Sequence, residues 1–381
     1  MAKIAQRGLI RARELYEHRE ARAQELANKG KKVIGYFCSY TPVEIFTALD
    51  IVPYRIQGKV GKPAEKAGQY LESIVCPFVR SCFDLAIGGE YNFLSGAVIP
   101  HTCDAMHRLY DIWKYHLKPP YSYSLYVPHM THQASYEFFQ KEIENLKTGL
   151  EQFVGRSASE KDLIRAISLH NHSRALLRKL YELRKQEPPL ISGSEVMWVL
   201  IAGMTTPIQE FNELMEEVVA EVRNRKPGPD TKPRLLISGS EVDDDSLMRL
   251  VEESGANVVM DDLCTGSRFF WQDVDPSKGA IPGLAERYLG ITCPRTYRPG
   301  KAAQRFSYLG DFIREWKVQG VILYTIRFCD TYQLDAPEMK DYIQSLGLPV
   351  LFLEDTYITS PLGQWKTRVE AFLETIEARR E

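Results

Sequence analysis

Cysteines follow the predicted buried strands of this chain. Four of the seven cysteines come directly after apolar runs that are typical of such strands. The runs are VIGYF before Cys38, GAVIP before Cys103, ANVVMDD before Cys264 and VILYTI before Cys329. A free cysteine packs like a small hydrophobic residue, so one such position needs no functional explanation. Four equivalent positions indicate a shared chemical role for the thiols.

Two more cysteines begin turns that are predicted to lie on the same edge. Cys76 stands in SIVCPFVRS and Cys293 in GITCPRTY, each followed by proline. Proline restricts the preceding residue to extended geometry. Three candidate ligands thus come from each half of the chain. Cys82 falls inside a predicted helix, and we interpret it as a packing residue rather than a seventh ligand.

This spacing favours a metal cluster over other cysteine chemistry. A cytoplasmic chain of 381 residues does not need a disulfide framework. Structural zinc usually takes closely spaced pairs such as C-x2-C, and the sequence contains none. Iron–sulfur cubanes are held by thiolates, and ligands spread over a whole domain suit such a larger inorganic body. Three thiolates on one cubane would leave one iron free for water, substrate or a bridging sulfide.

Alternating strands and helices predict how these cysteines are positioned. Residues 1–130 read as a first α/β domain, which opens with a charged helix over 3–28. Residues 131–225 are helical, and a second α/β domain covers 232–381 after the linker KPGPDTKP. We therefore predict an α/β fold with two mostly parallel sheets and a connecting helical region. In open parallel sheets, ligands bind outside the carboxyl ends of the strands.

The composition and motifs of the chain argue against several classes of function and location. The net charge of -2 gives no overall basic field for nucleic acid. No run of 18 apolar residues predicts a membrane span. The charged N-terminus lacks the apolar core of a signal peptide, so we expect a cytoplasmic protein. The sequence has no G-x-G-x-x-G or P-loop, so we do not expect this chain to hydrolyse ATP.

Over nearly its whole length the chain resembles the 2-hydroxyacyl-CoA dehydratases and benzoyl-CoA reductases. The resemblance rests on GYFCSYTPVEIFTALDIVPYRI, CPFVRSCFDLA, VIPHTCDAMHRLYD, DDLCTGSR, RFCDTYQLDAPEMKDYIQSLGLPVLFLE and GQWKTRVEAF. It implies two Rossmann-like domains and a dimer or pseudo-dimer. It also implies ATP-hydrolysing activator subunits, which carry their own cluster and inject electrons of very low potential.

The resemblance also divides the cysteines. Dehydratase subunits of the family hold one [4Fe-4S] cubane on three cysteines, which correspond here to Cys76, Cys103 and Cys329. A second branch holds a double cubane, [8Fe-9S], on six cysteines. Its additional ligands correspond to Cys38, Cys264 and Cys293. Because all six are present, the resemblance favours the double cubane, with one [4Fe-4S] as the alternative.

The expected function is that of the smaller cluster-bearing subunit of an ATP-dependent benzoyl-CoA reductase. Such a subunit relays electrons for the dearomatising reduction of an aromatic acyl-CoA thioester. A homologous subunit with its own [4Fe-4S] would hold the substrate. The alternatives are a single-cubane dehydratase subunit, a homodimeric double-cubane reductase of small molecules and a non-enzymatic metal or scaffold protein. A CoA thioester is retained as a candidate ligand, although scattered Lys and Arg form no phosphate motif.

Three arginines lie close to these cysteines in sequence. Arg80, Arg268 and Arg327 would ease reduction of a cluster through their positive charge, or they form ordinary ion pairs.

Other polar residues beside the cysteines have two interpretations each. His101 is a proton donor, an alternative ligand or a plain loop histidine, and Glu44 faces the cluster or simply starts a helix. Asp104 and Asp330 are predicted helix N-caps. No catalytic acid or base is assigned.

Overall fold

Two four-stranded parallel sheets with the same strand order form the framework of the protein. The computed structural model describes residues 7–298, 300–357 and 362–379. The first sheet has the order β2-β1-β3-β4 and the second β6-β5-β7-β8. The strands of the first sheet are β1 (Val33–Tyr36), β2 (Val52–Arg55), β3 (Gly96–His101) and β4 (Tyr121–Tyr126). Those of the second are β5 (Arg234–Gly239), β6 (Asn257–Asp262), β7 (Gly320–Ile326) and β8 (Val350–Asp355). The predicted α/β class is confirmed.

The central strands are apolar runs because both faces of each sheet are covered. Every residue of β1, β5 and β7 is buried, as is usual in parallel sheets between helical layers. The edge strand β4 was not predicted, since its sequence YSYSLY is half-buried and carries no apolar run. Tyrosine favours strands, and β4 pairs in parallel with β3 along its whole length.

Helices pack around the first sheet, and the N-terminal prediction needs correction there. The helices are α1 (Gly8–Glu17), α2 (Arg19–Asn28), α3 (Val43–Ala48), α4 (Pro77–Ile87) and α5 (Asp104–Leu117). The single helix predicted over 3–28 is wrong, because His18 has a non-helical backbone between α1 and α2. Leu9 of α1 joins a core formed with the helical region, whereas Leu26 of α2 joins the core under the first sheet. Residues 3–6 of that prediction lie outside the described residues.

The remaining helices form the central region and cover the second sheet. The central helices are α6 (Gln133–Val154), α7 (Glu160–Glu182), α8 (Gly193–Thr205) and α9 (Ile208–Arg223). The second sheet is accompanied by α10 (Ser246–Glu253), α11 (Ser267–Phe270), α12 (Ala280–Leu289), α13 (Ala302–Arg305), α14 (Ser307–Glu315), α15 (Asp330–Ser345) and α16 (Leu362–Glu377). None of the helices in the described ranges is both long enough and apolar enough to cross a membrane.

The two sheets also contact each other directly. One core of buried side chains contains Tyr54 of β2 and Tyr357, which follows β8. The Tyr357 hydroxyl donates to the Asp243 carboxylate at 2.7 Å, and the same carboxylate accepts from the Gly58 amide at 2.9 Å. These contacts bring the carboxyl-terminal edges of the two sheets together.

Candidate metal-cluster site

All six cysteines that the sequence singles out line one cavity between the two sheets. The cavity encloses about 650 Å³ of empty space, including its open mouth. The thiols on its wall are those of Cys38, Cys76, Cys103, Cys264, Cys293 and Cys329. Cys82 does not line the cavity and is fully buried in the core beside the first sheet.

The strand ends explain how four of these cysteines meet. Cys38, Cys103 and Cys264 each lie two residues after their strand, β1, β3 and β6, and Cys329 lies three residues after β7. In each sheet the strand order reverses beside the first strand, between β1 and β3 and between β5 and β7. Ligands of open parallel sheets bind at such switch points. The cavity therefore occupies the binding edge of both sheets at once.

Three of the cysteines occupy helix N-termini. Cys76, Cys103 and Cys329 are the N-cap residues of α4, α5 and α15. The prediction that Asp104 and Asp330 are the caps is wrong, since each is the first residue inside its helix. Free N–H groups and the helix dipole favour negative charge at an N-terminus. These positions suit thiolates or an anionic cluster.

The other three cysteines approach one another from loops. Cys38 itself has a positive φ of 59°. The thiols of Cys264 and Cys293 lie close enough for each to affect the pKa of the other. The Ser39 hydroxyl donates to the carbonyl oxygen of Cys264 at 2.7 Å, which ties the β1 loop to the β6 loop.

Most of the electrostatic interactions among the thiols fall within two groups of three, and one, between Cys329 and Cys264, joins the groups. Burial raises the pKa of Cys76, and the nearby thiols of Cys329 and Cys103 raise it further. Burial likewise raises the pKa of Cys38 to about 11, with Cys264 as its thiol neighbour. The helix-cap triad is Cys76, Cys103 and Cys329, and the loop triad is Cys38, Cys264 and Cys293.

Each triad draws on both sheets. The helix-cap triad has two members from the first half of the chain and one from the second, and the loop triad has the reverse. This arrangement follows from the shared topology, because Cys103 after β3 corresponds to Cys329 after β7. Neither half of the chain carries a complete triad, so each triad exists only when the two sheets are packed together.

Charged side chains surround the loop triad, and sequence reasoning missed most of them. Arg55, Glu241 and Arg295 line the cavity, although they were not predicted as site residues. Arg55 is the last residue of strand β2. A charged residue at the end of a predicted strand was therefore the signal in the sequence that could have identified it as a site residue. The predicted Arg268 places its Nη1 atom 3.8 Å from the Cys264 sulfur.

The other predicted arginines lie outside this set. Arg80 does not line the cavity. Arg327 is exposed on the surface, where its Nε atom lies 3.8 Å from Glu354.

His101 and Glu44 also lie outside the cavity wall. The ring of His101 stacks on that of His107 with 4.3 Å between centroids. Glu44 is fully buried, and its carboxylate accepts hydrogen bonds from Arg174 and from the Tyr288 hydroxyl. Both placements agree with the structural interpretation of these residues.

The donor set fits an iron–sulfur cluster. Among the described residues, no three His, Cys, Asp or Glu side chains are arranged around one metal ion. Six thiols around one cavity match the thiolate ligands that such clusters take. Buried nitrogens of Arg55 and Arg295 have no protein partner, so hydrogen-bond donors are left for an acceptor in the cavity.

The sequence of this chain matches one known protein family over most of its length. Residues 38–376 match the family model described as "2-hydroxyglutaryl-CoA dehydratase, D-component". The chain belongs to this family. The resemblance found in the sequence is therefore confirmed at the family level.

Relatives in this dehydratase family are subunits of enzymes. The chain is 25% identical to the (R)-phenyllactyl-CoA dehydratase beta subunit of Clostridium sporogenes, over 93% of this chain and 94% of the relative. It is 26% identical to one of the subunits of benzoyl-CoA reductase from Thauera aromatica, over 90% and 91%. It is 24% identical to the beta subunit of (R)-2-hydroxyglutaryl-CoA dehydratase from Acidaminococcus fermentans, over 91% and 93%. The relatives thus include both dehydratases and a reductase.

Proposed function

We propose that this chain is an electron-relay subunit that holds a double-cubane cluster, [8Fe-9S], on its six cavity cysteines. The observation that carries the proposal is that six thiols line one cavity, with most of their mutual interactions inside two triads. A cubane has four iron corners, so three thiolates would leave one corner for a bridging sulfide. Two adjacent triads suit two linked cubanes better than one.

The chain's own residues have a clear task in this proposal. When bound, the cluster would supply one-electron chemistry at low potential. The helix-cap triad offers free backbone N–H groups, and the loop triad lies among arginine side chains. Apolar side chains, including Phe37, Phe78 and Met106, complete the wall and limit the access of water. The family relationship supports electron delivery to a partner subunit with its own [4Fe-4S], driven by ATP-hydrolysing activator subunits.

The finer proposal is a benzoyl-CoA reductase type of complex, in which the partner subunit binds an aromatic acyl-CoA thioester. Its support is the similarity to the Thauera aromatica benzoyl-CoA reductase subunit over most of both chains. The second candidate is a 2-hydroxyacyl-CoA dehydratase subunit with one [4Fe-4S] on the helix-cap triad. The dehydratase relatives favour it. In that case the loop triad would be structural. A homodimeric double-cubane reductase of small molecules shares the same six ligands.

The deciding experiment is the content of iron and acid-labile sulfide per chain after purification without oxygen. About eight irons with about nine sulfides support the double cubane. About four of each favour the dehydratase candidate. A variant with Cys38, Cys264 and Cys293 all replaced by alanine provides the control. It should lose iron under the double-cubane proposal and retain all of it under the single-cubane one.

A second measurement separates the reductase candidates. The purified chain is assayed for reduction of benzoyl-CoA and of small molecules, with activator and reductant, in the presence and absence of a partner subunit. Dependence on the partner supports the relay role. Activity of the chain alone contradicts that role and favours the homodimeric reductase.

A further inference from the structure

A buried guanidinium in the cavity wall has donors without acceptors. Arg55, at the end of β2, has no exposed surface. Its Nε and Nη1 atoms are buried and have no hydrogen-bond partner in the protein. Arginine is always charged and offers five N–H donors in a planar fork. Leaving such donors unsatisfied in the interior costs free energy, so their presence calls for an explanation.

The third guanidinium nitrogen of Arg55, Nη2, is hydrogen-bonded to the carboxylate of Glu241 beside the second sheet. Arg55 Nη2 donates to Glu241 Oε1 at 2.9 Å and to Oε2 at 3.1 Å. Glu241 follows β5 in the second sheet and is itself almost buried. Both oxygens of the carboxylate are directed at a single nitrogen. A usual bidentate pair would engage two nitrogens of the fork, so this geometry leaves two of the three nitrogens for another acceptor.

Arg55 lines the same cavity as the six thiols. Glu241 lines it as well. Arg55 interacts electrostatically with the thiols of Cys38 and Cys264, both of the loop triad, and also with Cys82, which does not line the cavity. By strand position, Arg55 at the end of β2 corresponds to the region after β6, where Cys264 lies. The first sheet therefore carries a cation where the second carries a ligand.

We propose that Arg55 donates hydrogen bonds to sulfur of the cluster half on the loop triad, and that Glu241 positions it for this task. The inference rests on the proposed cluster and goes beyond it by naming what tunes the potential. Hydrogen bonds to cluster sulfur and nearby positive charge both favour the reduced state. Among the described residues, Arg55 is not one of the main electrostatic influences on the helix-cap thiols. The loop-triad half is thus the one that Arg55 makes easier to reduce.

The test is a redox titration followed by electron paramagnetic resonance on the full chain purified without oxygen. Arg55→Met removes the cation and its donors, and it should make reduction at least tenfold less favourable, about 59 mV for one electron. Glu241→Gln keeps a side-chain oxygen that can hold Arg55 Nη2 in place but removes the negative charge, so it should shift the potential the opposite way. A purely structural ion pair would lower the thermal stability of both variants and leave the potential unchanged.

A matched control is available elsewhere in the chain. Arg174 and Glu44 form another buried Arg–Glu pair, and neither residue lines the cavity. Arg174→Met and Glu44→Gln should reduce stability without moving the potential. If Arg55→Met fails to assemble a cluster, the upward shift expected for Glu241→Gln decides the question.

The outcomes separate this inference from the proposed function. Iron-free wild-type protein would overturn both. In a further outcome, the Arg55→Met variant keeps the wild-type iron content while its equilibrium constant for reduction changes by less than twofold. That result would overturn the role of Arg55 and leave the proposed cluster intact. Shifts of the same sign in both variants would also contradict it, because the two substitutions remove opposite charges. Opposite shifts at normal iron content would support the assignment.

Discussion

The buried carboxylate of Glu44 offers the sharpest test of how the helical region holds the site. Glu44 lies on α3, the helix that follows the Cys38 loop, and has no exposed surface. Its carboxylate accepts hydrogen bonds from Arg174 of α7 and, at 2.7 Å, from Tyr288 of α12. We predict that Glu44→Gln loosens α3, because Gln keeps the volume but leaves Arg174 without its counter-charge.

The size of the effect follows from the pKa of Glu44. Burial, the largest single influence, would raise this pKa, but Arg174 acting together with His170 and Arg287 outweighs it and lowers the pKa from 4.5 to about 2. At 1.36 kcal/mol per unit, this shift corresponds to about 3 kcal/mol of stability. Breaking a buried ion pair by removing one partner typically costs ~3–5 kcal/mol. The two estimates agree, so we expect Glu44→Gln to lose about 3 kcal/mol at pH 7.

Urea unfolding of the wild type and the variant between pH 2 and pH 7 measures this prediction. Because the folded pKa is depressed, the contribution of Glu44 is fully present above pH 4.5 and is lost as pH falls towards about 2. The variant should lack this part of the acid sensitivity. The double variant Glu44→Gln with Arg174→Met should lose less than the sum of the single losses, since no unpaired charge then remains buried.

Two results would refute the reasoning. A loss below ~1 kcal/mol for Glu44→Gln would place the pair among weak surface ion pairs rather than buried ones. Strict additivity in the double variant would show that the two charges do not depend on each other.

Three further outcomes are expected. Burial lowers the pKa of His170 from 6.5 to about 4, so stability should decline as pH falls through that window, by about 3 kcal/mol. His170→Gln should flatten this decline, and an unchanged pH profile would contradict the assignment. Cys82→Ala should cost about 1 kcal/mol in urea unfolding yet keep the wild-type iron content, whereas loss of iron would make Cys82 a ligand. Gly239→Ala would place a Cβ atom 2.1 Å from the Tyr324 carbonyl oxygen. It should cost ~1–3 kcal/mol, and wild-type stability would show that the strand can shift.

Local features of the sequence predict which cysteines reach the binding edge. Apolar runs are local features, and they place Cys38, Cys103, Cys264 and Cys329 at strand ends without knowledge of the rest of the chain. Parallel strands then bring their carboxyl ends to one edge of each sheet. For the same reason β4 was missed, because its alternating Tyr and Ser carry no apolar run and only pairing with β3 makes it a strand.

The residues that face one another across the two sheets are set by tertiary packing. Arg80 and Arg327 are near cysteines in sequence but do not line the cavity, whereas Arg55 and Glu241 meet there across 186 residues. The division into two triads likewise mixes the halves of the chain. Such contacts depend on how two separate sheets pack edge to edge. Local propensity and periodicity carry no information about that packing, because they describe only residues a few positions apart.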